Sequence, residues 1–285
     1  MGLKRIQYKG QELLSAKYDL VFKALFTADG NQELLASLLS CILTIHIRAQ
    51  DMIVTNTELP STHEDGRLSR VDVRVRLSDG KNLNIEIQLE DEHNIAKRST
   101  YYTSKLYVDQ ATPGMKFGEL CPTIAINILD FSFLPYEEYH NRYRLKNTAN
   151  NDELTDAFEI NFIELRKVPK NSKGNLKDLW MRFLLADDAE ELEMLENQDP
   201  ILEKAVNKLL YVSADEKLRY ALDMREKAEM DYWSAMGTNY DKGMREGRQE
   251  EKYQVVCEMK NEGLPDEMIA RITKLPVDTV REIEK

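Results

Sequence analysis

Alternation of apolar and polar residues is clearest between residues 71 and 90 of this 285-residue chain, which read VDVRVRLSDGKNLNIEIQLE. Every odd position from 71 to 77 and from 83 to 89 is Val, Leu or Ile, and the even positions are polar or charged. A period of two is typical of strands that bury one face. Because Ser78-Asp79-Gly80 between them is rich in turn-forming residues, the pattern predicts a β-hairpin.

The register of this hairpin follows from the shared apolar stripe. Both stripes lie on one face only if directly opposed residues have numbers of equal parity. A three-residue loop with Gly80 in a left-handed conformation satisfies that condition. Asp72 then lies opposite Glu86, and their Cβ atoms are roughly 5 Å apart.

Two opposed carboxylates favour a site for a divalent cation, because like charges at that distance destabilise a sheet unless a positive charge lies between them. Oxygen ligands suit Mg²⁺ or Mn²⁺ rather than zinc. Gln88 lies two residues beyond Glu86 and therefore shares its face. The alternative is an ordinary solvated face, which alternating strands often have.

Helical and strand patterns follow on both sides of the hairpin. Helices are predicted over 16–26, 33–43, 95–108, 176–186, 188–196, 199–212 and 214–233, and strands over 122–129 and 157–168. Asp19 near the start of the first helix fits either a partner for the helix dipole or a role at the metal. Arg98, Tyr102 and Lys105 share one helix face, which could hold a phosphate or be plain surface.

The C-terminal end differs in composition. Gly243 and Gly247 interrupt the charged segment YDKGMREGRQEEKY, which we expect to be an exposed helix or a linker. Short helices are predicted over 255–261, 266–272 and 277–283, and we expect contact with protein rather than with DNA, since this end lacks a basic excess.

Composition limits the classes of function. A net charge of -11 predicts modest, salt-sensitive affinity for nucleic acid. The three widely separated cysteines indicate reduced thiols and a cytoplasmic protein, and no apolar run is long enough for a membrane span. Nucleotide-binding and α/β-hydrolase motifs do not occur.

Four blocks of the chain resemble a known family in order and spacing. They are YDLVFKALF at 18–26, VDV at 71–73, IEIQ at 85–88 and RSTYY at 98–102. The blocks are similar to those of the recombination-promoting nucleases, also called PD-(D/E)XK nuclease family transposases. The resemblance implies an α/β fold with a restriction-endonuclease-like mixed-sheet core and a C-terminal helical region. It also implies a bacterial source and Mg²⁺-dependent cleavage of DNA.

The resemblance also assigns roles to individual residues. Asp72 and Glu86 match the metal-binding carboxylates, and Gln88 completes the catalytic set. Arg98 and Tyr102 match the Arg and Tyr of the following helix and would position the phosphate, and Asp19 matches an auxiliary acidic residue. Lys105 is added to the phosphate-positioning set because helical spacing places it on the same face as Arg98 and Tyr102. Gln88 stands where the wider superfamily has lysine, so an amide dipole replaces a positive charge.

We therefore expect a Mg²⁺- or Mn²⁺-dependent DNA endonuclease linked to recombination or mobile elements. The alternatives are a catalytically silent factor that binds DNA or protein, and a nuclease that acts on RNA. We expect a nuclease core over 1–172, a helical region packed on it over 173–237, and a charged linker with a small helical tail over 238–285. A homodimer through the terminal helices is the expected assembly.

Overall fold

A mixed six-stranded sheet forms the centre of the computed structural model, which describes residues 4–55, 72–170 and 174–283. The strands are β1 (Arg5–Tyr8), β2 (Gln11–Leu14), β3 (Met52–Val54), β4 (Asp72–Leu77), β5 (Asn82–Gln88), β6 (Thr123–Leu129), β7 (His140–Lys146) and β8 (Glu153–Glu164). β1 and β2 form a separate hairpin, and the sheet order is β3-β4-β5-β6-β8-β7. Since β5, β6 and β8 run parallel and the other pairs antiparallel, the predicted restriction-endonuclease-like α/β fold is confirmed.

The described residues also form helices. They are α1 (Asp19–Thr27), α2 (Gln32–Leu43), α3 (Ile95–Val108), α4 (Leu176–Leu185), α5 (Ala189–Glu196), α6 (Pro200–Ser213), α7 (Glu216–Asn261), α8 (Asp266–Thr273) and α9 (Val277–Glu282). In the part of the chain that the structure describes, no helix combines the length and apolar character that a membrane crossing requires.

The β4-β5 hairpin confirms the predicted register. Asp72 pairs with Glu86, and the Leu77 N–H donates to the Lys81 carbonyl at 2.9 Å. Gly80 has φ +91°, in the left-handed region that closes a three-residue loop. The parity of the apolar positions therefore determined the pairing of these strands.

The two sheet faces differ in chemistry. The odd-numbered side chains of β4 and β5 are buried in one hydrophobic cluster with residues of α1, α2 and α4. The opposite face carries the even-numbered polar residues of β5 and is covered by α3, whose Ser99 receives a hydrogen bond from Asn127 of β6. The candidate site therefore lies on the polar face, beside α3.

Helix α7 corrects the predicted bounds of the helices on either side of the charged segment, which is itself helical, one of its two predicted alternatives. We expected one helix to end near 233 and a separate one to begin at 255, but α7 is continuous from Glu216 to Asn261. Each glycine costs roughly 1 kcal/mol in a helix, yet Glu, Lys, Arg, Met and Gln around them favour it, and no proline interrupts it. The predicted short helices beyond it correspond to α8 and α9.

The chain divides into two compact units, Met1–Met224 and Arg225–Lys285. In the first, Trp180 and Phe183 of α4 are buried in the same cluster as α1 and the sheet. In the second, a small cluster contains Val256, Ile269, Ala270 and Val280. The predicted domain boundaries after 172 and 237 stay predictions.

Candidate functional site

Glu86 and Gln88 lie at the C-terminal end of β5, on the polar face of the sheet. Both are buried, with 6% and 5% of their surface exposed. The strand pairing places Asp72 directly opposite Glu86; the side chain of Asp72 lies outside the described part of the structure. Period-two alternation buries the intervening Ile87 on the other face. The hairpin therefore brings Glu86 and Gln88 to the same end of the sheet, with Asp72 opposite Glu86 in register.

Arg98 contacts Glu86 from the first turn of α3. Its Nη2 donates to Glu86 Oε1 at 3.2 Å, and the two side chains are 24% and 8% exposed. The Arg98 guanidinium also lies over the Tyr102 ring, 4.9 Å from its centroid. Helical spacing of four residues places these two side chains on one face, as the sequence predicted.

The second nitrogen of the Arg98 fork is unsatisfied. Among the described residues, Arg98 Nε is buried and has no hydrogen-bond partner. A guanidinium donates two parallel hydrogen bonds to a carboxylate or phosphate, but here Nη2 contacts Glu86 and Nε makes no bond. Arg98 therefore retains capacity for one further anionic oxygen.

Gln88 and Asp19 have defined local partners. Gln88 Nε2 donates to the Glu90 carbonyl at 2.9 Å, which orients the amide. Asp19 is the first residue of α1, and its Oδ1 accepts from the Leu20 N–H at 2.8 Å. Both interpretations of Asp19, as a partner for the helix dipole and as a residue at the metal, stay predictions.

Lys105 is not brought to Glu86. It is exposed near the end of α3, and its side chain makes no hydrogen bond or ion pair in the described ranges. Its position along α3 leaves it available to solvent and to a bound polyanion. Its role in positioning phosphate stays a prediction.

Two buried amide side chains, those of Asn127 and Asn84, lie near Glu86. Asn127 is paired in register with Glu86 and donates to Ser99 Oγ at 2.8 Å and to the Asn161 carbonyl at 3.1 Å. Asn84 is 8% exposed, and its Oδ1 accepts no hydrogen bond from described atoms. The single Asn within the apolar run 122–129 is the signal that points to the first of these.

A second charged group borders the same edge of the sheet. The Asp130 N–H donates to the Gln88 carbonyl at 2.9 Å. The Asp130 carboxylate contacts Lys17 Nζ at 2.8 Å and Arg166 Nε at 3.3 Å. Two basic side chains from separate elements therefore lie beside the end of β5, which local sequence patterns do not reveal.

The donors at this site fit a hard divalent cation. Glu86 supplies a carboxylate, Asn84 supplies an amide oxygen without a described donor, and Asp72 lies opposite in register. Mg²⁺ binds through one or two carboxylates and keeps several waters. Among the described residues, no cluster of three or more His, Cys, Asp or Glu side chains is arranged to hold a metal.

Comparison with known proteins gives a single assignment. The model of the PD-(D/E)XK nuclease family transposases matches residues 16–239. The chain matches no curated protein and no solved structure in the corresponding comparisons. The matched segment covers most of the chain and contains the β4-β5 hairpin, α3 and the sheet. The chain therefore belongs to the PD-(D/E)XK nuclease family transposases.

Proposed function

We propose that this protein is a metal-dependent DNA endonuclease that hydrolyses phosphodiester bonds. The observation that carries the proposal is the pairing of Asp72 with Glu86, with Gln88 two residues further and Arg98 against the Glu86 carboxylate. Membership in a nuclease family supports the reaction class. We infer a role in recombination or mobile-element biology from the same membership.

Asp72 and Glu86 would hold one or two Mg²⁺ or Mn²⁺ ions. When bound, such an ion polarises the scissile phosphate and lowers the pKa of a coordinated water. Gln88, oriented by the Glu90 carbonyl, would accept a hydrogen bond from the attacking water or donate one to it. Because an amide carries no net charge, the positive charge of the superfamily lysine must come from elsewhere.

Arg98 is the side chain best placed to supply that charge. It lies beside Glu86, is stacked on Tyr102 and has an unsatisfied Nε. A phosphate oxygen would contact the exposed part of the Arg98 guanidinium, while the ring keeps the guanidinium plane oriented. Arg98 and Tyr102 would therefore position the phosphodiester, with Lys105 contacting the strand further along α3.

The cysteines and the C-terminal helices bear on the location and the assembly of the protein. Cys41, Cys121 and Cys257 form no disulfide bond, which fits the reducing cytoplasm that we propose for this protein. A homodimer through the C-terminal helices is proposed from the exposed apolar side chains of Met268 and Ile272 on α8.

Plasmid DNA tests the function directly. Supercoiled plasmid is incubated with Mg²⁺, Mn²⁺ or EDTA, and nicked and linear products are measured for wild type, D72A and E86Q. We expect cleavage only with metal and a loss of at least about 100-fold in both variants. D79N, at the far end of the same hairpin, is the matched control and should cleave like wild type.

A catalytically silent protein that binds DNA or protein is the second candidate. In that case D72A and wild type would bind DNA with equal affinity, and neither would cleave it. Cleavage of RNA but not DNA would instead assign a ribonuclease. Activity of D72A equal to that of wild type, under any metal, would contradict the site itself.

A further inference from the structure

The outward side of α3 carries two adjacent aromatic rings next to the candidate site. Tyr101 is 64% exposed and Tyr102 is 38% exposed. Their rings meet edge to face, with centroids 5.3 Å apart. Tyr102 in turn lies over Arg98, which contacts Glu86. A continuous series of contacts therefore connects the buried carboxylate to an exposed aromatic surface.

The charge of α3 is opposite to that of the protein. Ile95–Val108 contains Lys97, Arg98 and Lys105 and no acidic residue, whereas the whole chain has a net charge of -11. Lys97 and Lys105 are exposed on either side of Tyr101 along the helix. Aromatic rings interleaved with basic side chains are typical of surfaces that bind single-stranded nucleic acid.

Burial of the carboxylate favours an unpaired strand over a duplex. Glu86 is only 6% exposed beneath α3. The bases of a duplex are stacked on each other and paired, so their faces are not available to a protein ring. An unpaired nucleotide whose phosphate lies at Arg98 can turn its base onto Tyr101, because every base has a π-face and its backbone is free to rotate.

We propose that Tyr101 and Tyr102 form a base-stacking platform that directs the site to single-stranded DNA or to unpaired junctions in DNA. The inference rests on the proposed function, since it names the substrate class of the same site. Tyr101 provides the main stacking surface, and Lys97 and Lys105 contact the flanking phosphates. Tyr102 orients Arg98 and supports the edge of Tyr101.

Binding is measured by fluorescence anisotropy in EDTA, so that no cleavage occurs. The probes are a labelled 20-nucleotide single strand and the blunt duplex of the same sequence; a second single strand carries 2-aminopurine. We expect wild type to bind the single strand more tightly and to change the 2-aminopurine fluorescence as the base stacks. Y101L should bind the single strand about tenfold more weakly, and Y101F, which keeps the ring, should bind like wild type.

Y211A is the matched control, because Tyr211 is 80% exposed on α6 and lies outside the proposed site. Equal single-strand binding by Y101L, Y101F and wild type would overturn the proposal. So would equal affinity of wild type for duplex and single strand. Tyr101-dependent stacking without cleavage of any DNA would uphold this inference and refute the nuclease function. Equal DNA cleavage by Y101L and wild type would instead uphold the nuclease function and refute the stacking platform. Tighter binding of a single RNA strand than of the single DNA strand would overturn the choice of DNA as the substrate.

Discussion

Arg98 lies between two anionic partners, one present in the structure and one proposed. Its Nη2 donates to Glu86 and its Nε is unsatisfied among described atoms. A cation at Glu86 would weaken the ion pair and release the guanidinium toward a phosphate. Metal and substrate are thereby expected to bind cooperatively through this one residue.

R98K tests whether the forked geometry matters beyond its charge. A lysine ammonium is a point charge that does not reproduce the two parallel donors or the flat contact with Tyr102. We expect cleavage at saturating Mg²⁺ to fall about 10- to 100-fold. R48K, at an exposed pair with Asp51, is the control. Wild-type rates in R98K would show that charge alone suffices.

His140 illustrates a half-buried titratable group with a structural role. Its Nε2 pairs with Asn161 Oδ1 at 2.9 Å, and Lys177 Nζ lies 3.3 Å from Nδ1. Burial is the largest cause that lowers the pKa of His140 below its usual 6.5, and the positive charges of Lys177 and Arg142 act in the same direction against the Asn161 hydrogen bond. The ring is therefore neutral in the folded protein near neutral pH.

The pH dependence of stability follows from this shift. Because the folded pKa lies below the unfolded value, the unfolded chain binds more protons as the pH falls through 6.5. The free energy of unfolding is thus expected to fall on acidification, and less so in H140Q. Urea titrations at pH 7.5 and 5.5 measure both proteins. The same acid-induced loss in H140Q would assign the effect to other groups.

At the level of elements, the loop of the β4-β5 hairpin controls the site through Gly80. Its φ is +91°, and a Cβ at this position would lie 2.6 Å from Cys121 Sγ. The loop sets the register, and the register sets which residue lies opposite Glu86. A change in this loop therefore acts on the site from the far end of the hairpin.

G80A is expected to reduce the free energy of unfolding by about 1–3 kcal/mol, since alanine is strained in the left-handed region and meets the thiol. Chemical denaturation measures this loss. G118A is the matched control, because Gly118 has no positive φ and open space around its Cβ position. The control should stay within about 0.5 kcal/mol of wild type. Equal stability of G80A and G118A would refute the loop argument.

The whole chain combines a compact unit up to Met224 with a second unit that begins within α7. The first turns of α7 belong to the core, where Leu218 and Leu222 are each 3% exposed. Arg219 Nη1 also contacts Glu12 of β2 at 2.7 Å. The helix therefore has a buried beginning and a largely exposed continuation.

Truncation tests this division. A chain that ends at Met224 should unfold cooperatively and keep metal-dependent cleavage, whereas one that ends at Ala214 loses Leu218, Arg219 and Leu222 and should be several kcal/mol less stable. Thermal unfolding measures both. Light scattering on the full chain and on the longer truncation tests the dimer: an unchanged number of copies would exclude the C-terminal helices as the interface.

Local pattern determined the hairpin and α3. Parity of the apolar positions predicted the pairing of Asp72 with Glu86, because a slip by one residue would expose the whole apolar stripe. The predicted helix 95–108 agrees with α3 (Ile95–Val108). Both elements are set by contacts between residues close in sequence, which a periodic pattern reports.

Tertiary structure decided what no local pattern contains. Strand β7 was not predicted, because its sequence HNRYRLK is polar. It lies at the edge of the sheet, where Arg144 forms ion pairs with Glu153 and Glu159 of β8. The continuity of α7 through its glycines was also missed. The ion pair of Arg98 with Glu86 and the Asn127–Ser99 hydrogen bond join residues 12 and 28 positions apart. Such contacts depend on how α3 packs on the sheet, which sequence periodicity alone does not specify.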